Sequence, residues 1–153
     1  MRLVLFQPDI PQNAGTILRL AACVGVGVDI IEPCGFVWSE PRLRRAGMDY
    51  LEFAAVARHS SWDAFMAIRS PGRLVLLTTR GATPLPQARF ERDDHLVLGR
   101  ESAGVPDALH AAADLAVRVP MVASARSLNV AVTAGMVLAE ALRQTDGWPA
   151  APA

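Results

Sequence analysis

The chain contains no lysine, because all fifteen of its basic residues are arginine. Schiff-base catalysis by a lysine and phosphate binding by a Walker A lysine are therefore excluded. Fifteen acidic residues balance the arginines, and the resulting net charge of zero argues against a general polyanion-binding protein. We attribute the exclusive use of arginine to the base composition of the gene rather than to function.

Cysteines, histidines and long apolar runs are also scarce. Cys23 and Cys34 are the only cysteines, and the three histidines are scattered along the chain. Neither Cys-x-x-Cys nor a histidine-rich spacing is present, so no metal site and no disulfide framework are predicted. No apolar run reaches membrane-spanning length, and the first strand is too short for the core of a signal peptide. We therefore expect a cytoplasmic protein that binds no metal and no membrane.

Apolar residues make up 52% of the 153 residues and charged residues 20%, a composition that fits a compact α/β domain. Strand and helix patterns alternate along the chain, which predicts a mostly parallel sheet with helices on both faces. The predicted strands are Arg2–Phe6, Val28–Glu32, Glu52–Arg58, Arg73–Thr78, His95–Leu98 and Ala116–Val119. The predicted helices are Ala14–Val24, Ser61–Ile68, Pro106–Ala112 and Ser127–Gln144, with a helical turn at Arg42–Ala46. We expect one domain over residues 1–145 and a flexible tail over residues 146–153.

Three of these strands end in loops with special backbone requirements. One strand breaks at Arg80-Gly81, a second runs into a glycine-bearing loop over residues 100–106, and a third stops at Pro120. If the strands are parallel neighbours, their loops converge at the carboxyl edge of the sheet, where open α/β folds bind ligands. The third loop leads to Ser127 and Asn129, both suitable N-cap residues for the last helix. The C-terminal half is thus predicted to build one pocket, although each loop alone could be an ordinary connection.

Two familiar classes of α/β enzyme do not fit the sequence. Gly25-Val-Gly27 follows a predicted helix and precedes a strand, which is the wrong context for a dinucleotide-binding fingerprint. It is better interpreted as a helix end and turn. Ser102 has Arg100 two residues before it, so the Gly-x-Ser-x-Gly motif of a serine hydrolase is absent.

The motifs, taken together, resemble those of a known family. They are the three loops, Asn13-x-Gly15-x-Ile17-x-Arg19, the segment of residues 31–36 (Ile-Glu-Pro-Cys-Gly-Phe) and the arginine-rich segment of residues 42–50. In this order they resemble the SPOUT (SpoU–TrmD) methyltransferases, and especially the tRNA wobble-nucleotide (cytidine/uridine-34) 2′-O-methyltransferases of the TrmL type. The resemblance extends from about residue 2 to residue 145. It implies a deep trefoil knot in the C-terminal half, S-adenosylmethionine as cofactor, and a homodimer whose sites are shared between subunits.

The resemblance also implies which residues bind the cofactor. They are Leu77, Gly99, Val119, Met121, Ser127 and Leu128. The apolar members would sandwich the adenine, and Gly99 would permit a close approach of the backbone. Each apolar residue, taken singly, could equally belong to the core. Glu101 is expected either to orient its loop or to contact Arg19, and Asn129 either to cap the last helix or to line the pocket.

Arg19 is the catalytic residue implied by the N-terminal motif. An arginine stays protonated at any usable pH, so we predict that it holds the ribose or phosphate and stabilises the developing alkoxide while another group accepts the proton. The alternative is a structural ion pair with an acid such as Glu101.

Contacts with the tRNA anticodon stem-loop are expected from basic side chains. The predicted substrate-binding residues are Arg42, Arg44, Arg45, His59 and Arg73. Three guanidiniums within four residues make a local phosphate-binding patch, although a solvated charged helix face is the alternative. The last helix departs from the subgroup at residues 130–134 and at Ala139, which bears on dimer packing and on the choice of substrate.

Three functions follow from these observations. The leading one is S-adenosylmethionine-dependent 2′-O-methylation of the wobble ribose of tRNA. The second is the same chemistry on rRNA or at another tRNA position, and the third is a non-catalytic RNA- or nucleotide-binding knot protein. The joint presence of Asn13, Arg19, Glu101, Ser127 and Asn129 favours an active enzyme over the third.

Overall fold

A computed structural model describes residues 1–38 and 55–150 of the chain. Its strands are β1 (Arg2–Phe6), β2 (Gly27–Ile31), β3 (Val56–His59), β4 (Leu74–Leu77), β5 (Thr83–Pro84), β6 (His95–Leu98) and β7 (Leu115–Arg118). Its α-helices are α1 (Pro11–Cys23), α2 (Trp62–Ile68), α3 (Asp107–Ala112) and α4 (Val130–Gln144), with a short 3₁₀ turn at Leu85–Gln87. The helical turn predicted at Arg42–Ala46 and the first residues of the strand predicted at Glu52–Arg58 lie outside the described residues.

The strands form one sheet in the order β3-β2-β1-β6-β4-β7-β5. Every pairing between these strands is parallel. The predicted α/β class is therefore confirmed. The strands β6, β4 and β7 are adjacent, so the three loops that follow them do meet at one edge of the sheet.

Both faces of the sheet are buried, because apolar side chains occupy both sides of its central strands. Leu3, Leu5 and Leu98 face a cluster that contains the buried sides of α1 and α4. Val4 and Val97 face the opposite cluster, which contains residues of α2 and α3. Continuous apolar strands covered by helices on two sides are typical of parallel sheets.

The helix boundaries differ from the predicted ones by three residues at two N-termini. Helix α1 begins at Pro11 rather than Ala14, since a proline fits the first helical position, where no N–H is needed. Helix α4 begins at Val130, and its N-cap is Asn129 rather than Ser127. The predicted turn at the end of α1 is present, with Gly25 in the left-handed region at φ 69°.

One strand was not predicted. The turn-rich segment after Gly81 contains β5, a two-residue outer strand that pairs with β7. An edge position tolerates Pro84, which has no N–H to donate. The Arg118 guanidinium fixes this segment by donating to the carbonyls of Gly81 and Ala82 at 2.7 and 2.6 Å.

Within residues 1–38 and 55–150, no helix is long and apolar enough to span a bilayer. The last helix ends at Gln144. The single domain of residues 1–145, the tail of residues 146–153 and the trefoil knot stay predictions.

Candidate functional site

A cavity of about 420 Å³ opens at the carboxyl edge of the sheet. Its size lies within the range of roughly 300–1,000 Å³ that is typical of small-molecule sites. The walls come from the β1–α1 loop, the end of β4, the loop after β6, and the segment from β7 into α4. The structure brings all six residues predicted to bind the cofactor to this cavity: Leu77, Gly99, Val119, Met121, Ser127 and Leu128.

The cavity has both apolar and polar walls. Leu77, Val117 and Val137 are buried core residues whose side chains reach its inner surface. Thr78 and Thr79 extend the β4 wall with hydroxyl groups. Such a surface suits a ligand with a flat apolar part and several hydrogen-bonding groups.

The structure shows which backbone approaches Gly99 closely. A Cβ at this position would lie 2.7 Å from the carbonyl carbon of Gly104 and 2.9 Å from a methyl group of Val105. The loop folds back here, because the Arg100 and Gly104 backbones exchange hydrogen bonds of 3.0 and 2.8 Å. The close backbone approach that Gly99 permits is therefore that of its own loop.

Two carboxylates clasp the β1–α1 loop to the loop after β6. The Asp9 amide donates to Oε2 of Glu101 at 3.1 Å, and the Glu101 amide donates to Oδ1 of Asp9 at the same distance. The Ser102 amide donates to Oδ2 of Asp9 at 3.3 Å, and the Ser102 hydroxyl donates to the same oxygen. Among residues 1–38 and 55–150, the donors to the Asp9 carboxylate thus all come from the neighbouring loop.

The same contacts shift the pKa values of the two acids in opposite directions. The Glu101 side chain, followed by the hydroxyl and amide of Ser102, lowers the pKa of Asp9 to about 2. Burial, followed by the Asp9 side chain, raises the pKa of Glu101. As the pH falls, Glu101 is therefore the first of the two acids to take up a proton.

A chain of side-chain hydrogen bonds, here called the polar relay, joins Glu101, Asn13 and Asn129. The Asn13 amide donates to Oε1 of Glu101 at 3.1 Å, and the Asn129 amide donates to Oδ1 of Asn13 at 2.9 Å. Oδ1 of Asn129 then accepts from the backbone amides of Ala131 and Val132 at 2.9 and 3.3 Å. All three relay residues line the cavity.

The relay bears on two alternatives that the sequence left open. Glu101 orients its loop through Asp9 and Asn13. Asn129 both caps α4 and lines the cavity. Because the Glu101 carboxylate can only accept, it fixes which end of each amide faces its neighbour, as far as the N-terminus of α4.

Sequence reasoning missed Asp9 and Thr78 as members of this site. Nothing in the periodicity marks Asp9, which follows Pro8 in a short loop. Its position one residue before the N-cap of a helix beside a strand end was the available signal. Thr78 follows the strand residue Leu77 directly, so it shares the edge with it.

Arg19 lies on the exposed side of α1. The described residues that line the cavity do not include it. Helix α1 turns the opposite side, with Ile17 and Leu18, into the core. One chain therefore does not bring the predicted catalytic arginine together with the predicted cofactor residues.

Two predicted substrate contacts lie away from the cavity. His59 is buried, its Nε2 lies 2.8 Å from Oδ1 of Asp29, and its ring packs edge-on against Phe65. The ring is thus shielded from solvent in one chain, and a contact of His59 with RNA stays a prediction. Arg73 precedes β4 at the opposite edge of the sheet, where Nε and Nη2 of its guanidinium donate to the two carboxylate oxygens of Asp94 at 2.9 Å.

The other predicted substrate residues, Arg42, Arg44 and Arg45, lie outside the described residues. Among the residues that the structure does describe, no group of three or more His, Cys, Asp or Glu side chains could hold a metal ion.

Comparison with known proteins identifies the family. Residues 1–139 match the SpoU rRNA Methylase family. The tRNA (cytidine(34)-2'-O)-methyltransferase of Beijerinckia indica subsp. indica is 58% identical over 144 residues, which cover 93% of this chain and 90% of that protein.

Solved structures agree with this match. A structure concerning 2-OH methylation of C/U34 on tRNA has a TM-score of 0.87 and 42% identity, and the match covers 94% of each chain. The SpoU methyltransferase AviRb from Streptomyces viridochromogenes, in complex with the cofactor AdoMet, has a TM-score of 0.80 and 29% identity, and the match covers 94% of this chain and 60% of that one. The resemblance found in the sequence is thus confirmed, and the chain belongs to the SpoU methylase family of methyltransferases.

Proposed function

We propose that this protein transfers a methyl group from S-adenosylmethionine to the ribose 2′-hydroxyl of the wobble nucleotide, cytidine or uridine 34, of tRNA. The observation that carries the proposal is the convergence of three strand-end loops on one cavity that the polar relay holds together. The relative with 58% identity, named for methylation of cytidine 34, supports the choice of substrate.

The residues of the cavity fit the cofactor. Leu77, Val119, Met121 and Leu128 offer apolar surface for an adenine, while the threonines after β4 and the exposed backbone of the loops offer polar partners. When bound, S-adenosylmethionine supplies an electrophilic methyl group on a sulfonium. The AdoMet complex of AviRb, a structural neighbour from the same family, supports this assignment.

The contribution of the protein to such a transfer is mainly positioning. A methyl displacement requires the attacking oxygen, the carbon and the leaving group to be collinear, so small displacements of the loops lower the rate. The clasp between Asp9 and Glu101 and the relay to Asn129 fix three walls of the cavity relative to one another. The wall that begins α4 is therefore held by a carboxylate on the loop after β6.

We assign Arg19 to the reaction on the substrate side. Its guanidinium remains protonated, which suits it to bind a phosphate and to stabilise negative charge on the ribose oxygen rather than to remove the proton. Since Arg19 lies outside the cavity of its own chain, we place it at the cavity of a second copy in a homodimer. Exposed apolar side chains on α4, Val132 at 51% and Met136 at 44%, support an interface on this part of the surface.

The first test is methyl transfer from labelled S-adenosylmethionine to total tRNA from a host that lacks this protein, with the modified nucleoside mapped by mass spectrometry. The expected product is a 2′-O-methylated pyrimidine at position 34, which Arg19→Ala abolishes. Cofactor binding without modification of tRNA would move the target to another RNA. A protein that binds no cofactor would overturn the proposal.

The shared site has its own test. Arg19→Ala and Leu128→Arg, a substitution that blocks the cavity, are each expected to be inactive, because each dimer then carries two identical defects. Co-expressed subunits should regain about a quarter of the wild-type activity, since half of the randomly formed dimers are mixed and each of these holds one intact site. Mixtures as inactive as the single variants would place Arg19 and the cavity of the same chain in one site.

A further inference from the structure

We propose that Arg100 is an anion-binding residue of the cavity and receives a carboxylate or phosphate oxygen of the bound ligand. This inference deepens the proposed function and rests on it. It names Arg100 as the side chain that recognises negative charge in the cavity.

The backbone of Arg100 is held rigidly at the cavity wall. It directly follows Gly99 at the end of β6, and its N–H and C=O both bond to Gly104. Gly104 adopts φ 65°, a left-handed conformation that closes the loop tightly behind Arg100. Arg100 is half-buried and is one of the residues that line the cavity.

The guanidinium of Arg100 has no partner within the described part of the chain. Its Nε is shielded from solvent and makes no hydrogen bond there. Two other arginines at this edge are occupied, because Arg80 pairs with Asp107 at 3.2 Å and Arg118 binds two carbonyl oxygens. A shielded cationic donor without an acceptor is unfavourable, so a ligand that brings an acceptor is favoured at this point.

The neighbouring acid does not neutralise Arg100. Glu101 also lines the cavity, but its oxygens accept from the Asp9 amide and the Asn13 side chain. Asp9 in turn accepts from the amides of Glu101 and Ser102. Two acids and one arginine thus lie in adjoining loops, and the acids are committed to the clasp while the arginine faces the cavity.

The chemistry of a guanidinium defines what it binds. Its planar fork donates two parallel hydrogen bonds to the oxygens of a carboxylate or a phosphate. With the proposed function, such oxygens have two sources. One is the carboxylate of the methionine part of the cofactor, and the other is the phosphate backbone of the RNA.

The experiment compares Arg100→Gln with Arg80→Gln, a matched control that removes an arginine from the same edge. Isothermal titration measures binding of S-adenosylhomocysteine and of 5′-methylthioadenosine, which lacks the carboxylate. If Arg100 binds the carboxylate, Arg100→Gln weakens S-adenosylhomocysteine binding by roughly 10- to 100-fold and leaves methylthioadenosine binding unchanged.

The second arm identifies a phosphate. In that case Arg100→Gln leaves both adenosine ligands unchanged, raises the KM for tRNA, and reduces the salt dependence of tRNA binding by about one counterion. Equal losses for both adenosine ligands, or effects no larger than those of Arg80→Gln, would overturn the inference.

Failure of the proposed function is recognised separately. A wild-type protein that binds no S-adenosylhomocysteine and methylates no tRNA would refute the proposed function, whatever Arg100 does. Inorganic phosphate is then titrated into the protein, and the thermal unfolding temperature is measured at each concentration to test the residue directly. Stabilisation of the wild type that Arg100→Gln abolishes would preserve the anion site, and equal stabilisation of both proteins would overturn it.

Discussion

The two edges of the sheet use charged residues in opposite ways. At the amino edge, the fully buried carboxylate of Asp94 accepts from two guanidinium nitrogens of Arg73 and from the Glu91 amide. At the carboxyl edge, Asp9 and Glu101 hold each other's backbone amides, and Arg100 has no partner among the described residues. Charge is neutralised within the protein at the first edge and is left available to a ligand at the second.

This contrast shows that the charges that stabilise the fold and the charge that is available to a ligand lie at opposite edges of the sheet. The Asp94 carboxylate contributes to folding only while Arg73 is present, because without the guanidinium it would be an uncompensated buried charge. Two adjacent acids beside an unpaired arginine are a poorer arrangement for stability. Binding sites commonly carry such local costs, which a ligand offsets.

The largest expected effect is at the amino edge, in Asp94→Ala. The substitution removes the acceptor of Nε and Nη2 of Arg73 and of the Glu91 amide. Hydrogen bonds to a charged group contribute about 1.5–3 kcal/mol each, so we expect a loss of roughly 3–5 kcal/mol. Urea unfolding at neutral pH measures the change. The affinity for S-adenosylhomocysteine should stay within about twofold at a temperature where the variant is folded.

A matched control contacts the same arginine. Glu91 pairs with Nη1 of Arg73 at 3.1 Å, but its side chain is 66% exposed. Glu91→Ala should therefore change stability by no more than about 1 kcal/mol. Equal losses of stability in Asp94→Ala and Glu91→Ala would show that the burial of an acid does not determine how much it stabilises the protein. The buried ion pair at the amino edge would then have no special role in stability.

The next effect is at the carboxyl edge, in Asp9→Asn. A carboxamide offers one oxygen to the three donors of Glu101 and Ser102 and turns an N–H₂ group towards the others, so we expect a loss of roughly 1–3 kcal/mol at pH 7. Cofactor affinity should fall as well, because the clasp holds the cavity walls. Urea unfolding and titration with S-adenosylhomocysteine measure the two losses.

The pH dependence gives this prediction a sign. The folded pKa of Asp9, about 2, lies below its unfolded value, so its stabilisation is present above the unfolded pKa and is lost as the pH falls towards 2. The pKa of Glu101 is raised, so its contribution has the opposite sign and is lost as the pH rises through its folded pKa. The wild type and Asp9→Asn should therefore differ less and less in their free energy of unfolding as the pH falls from 5 to 2.

Much of the carboxyl edge could be predicted from the sequence, because strand ends and loop residues carry local signals. Apolar runs that stop at Gly81, Gly99 and Pro120 predicted three neighbouring parallel strands, and all six cofactor residues inferred from the motifs line one cavity. The amino edge carried no comparable signal. Arg73 looked like a free basic group there, as did His59 at the end of β3, because their acids, Asp94 and Asp29, are distant in sequence.

The polar relay could not be predicted for the same reason. Asn13 and Asn129 are separated by more than a hundred residues, and only the tertiary fold brings their side chains together. An isolated asparagine gives no indication of which way its amide points. That direction follows from Glu101, whose carboxylate accepts from Asn13 at the far end of the chain of bonds.

A smaller effect separates the two roles of Asn129. Asn129→Asp keeps an N-cap oxygen for α4 but turns an acceptor towards Oδ1 of Asn13, so the relay breaks while the helix start is retained. Asn129→Ala removes both the relay bond and the N-cap. Its free energy of unfolding, measured in urea, should be about 1 kcal/mol lower than that of Asn129→Asp. We expect similarly weakened S-adenosylhomocysteine binding in the two variants. If only the alanine variant binds weakly, the cap rather than the relay shapes the cavity.

The smallest effect is a gain, in Gly135→Ala on α4, away from both edges. A Cβ there meets only Cδ2 of Leu20 at 3.9 Å, an ordinary contact, so the better helix propensity of alanine should stabilise the protein by roughly 0.5–1 kcal/mol. Gly99→Ala is the opposite case, since its Cβ would lie 2.7 Å from the Gly104 backbone and the loop would have to move. Urea unfolding at several protein concentrations compares the two variants. Destabilisation by Gly135→Ala that disappears on dilution would mean that a second copy approaches α4 at this glycine, which would locate the proposed dimer interface.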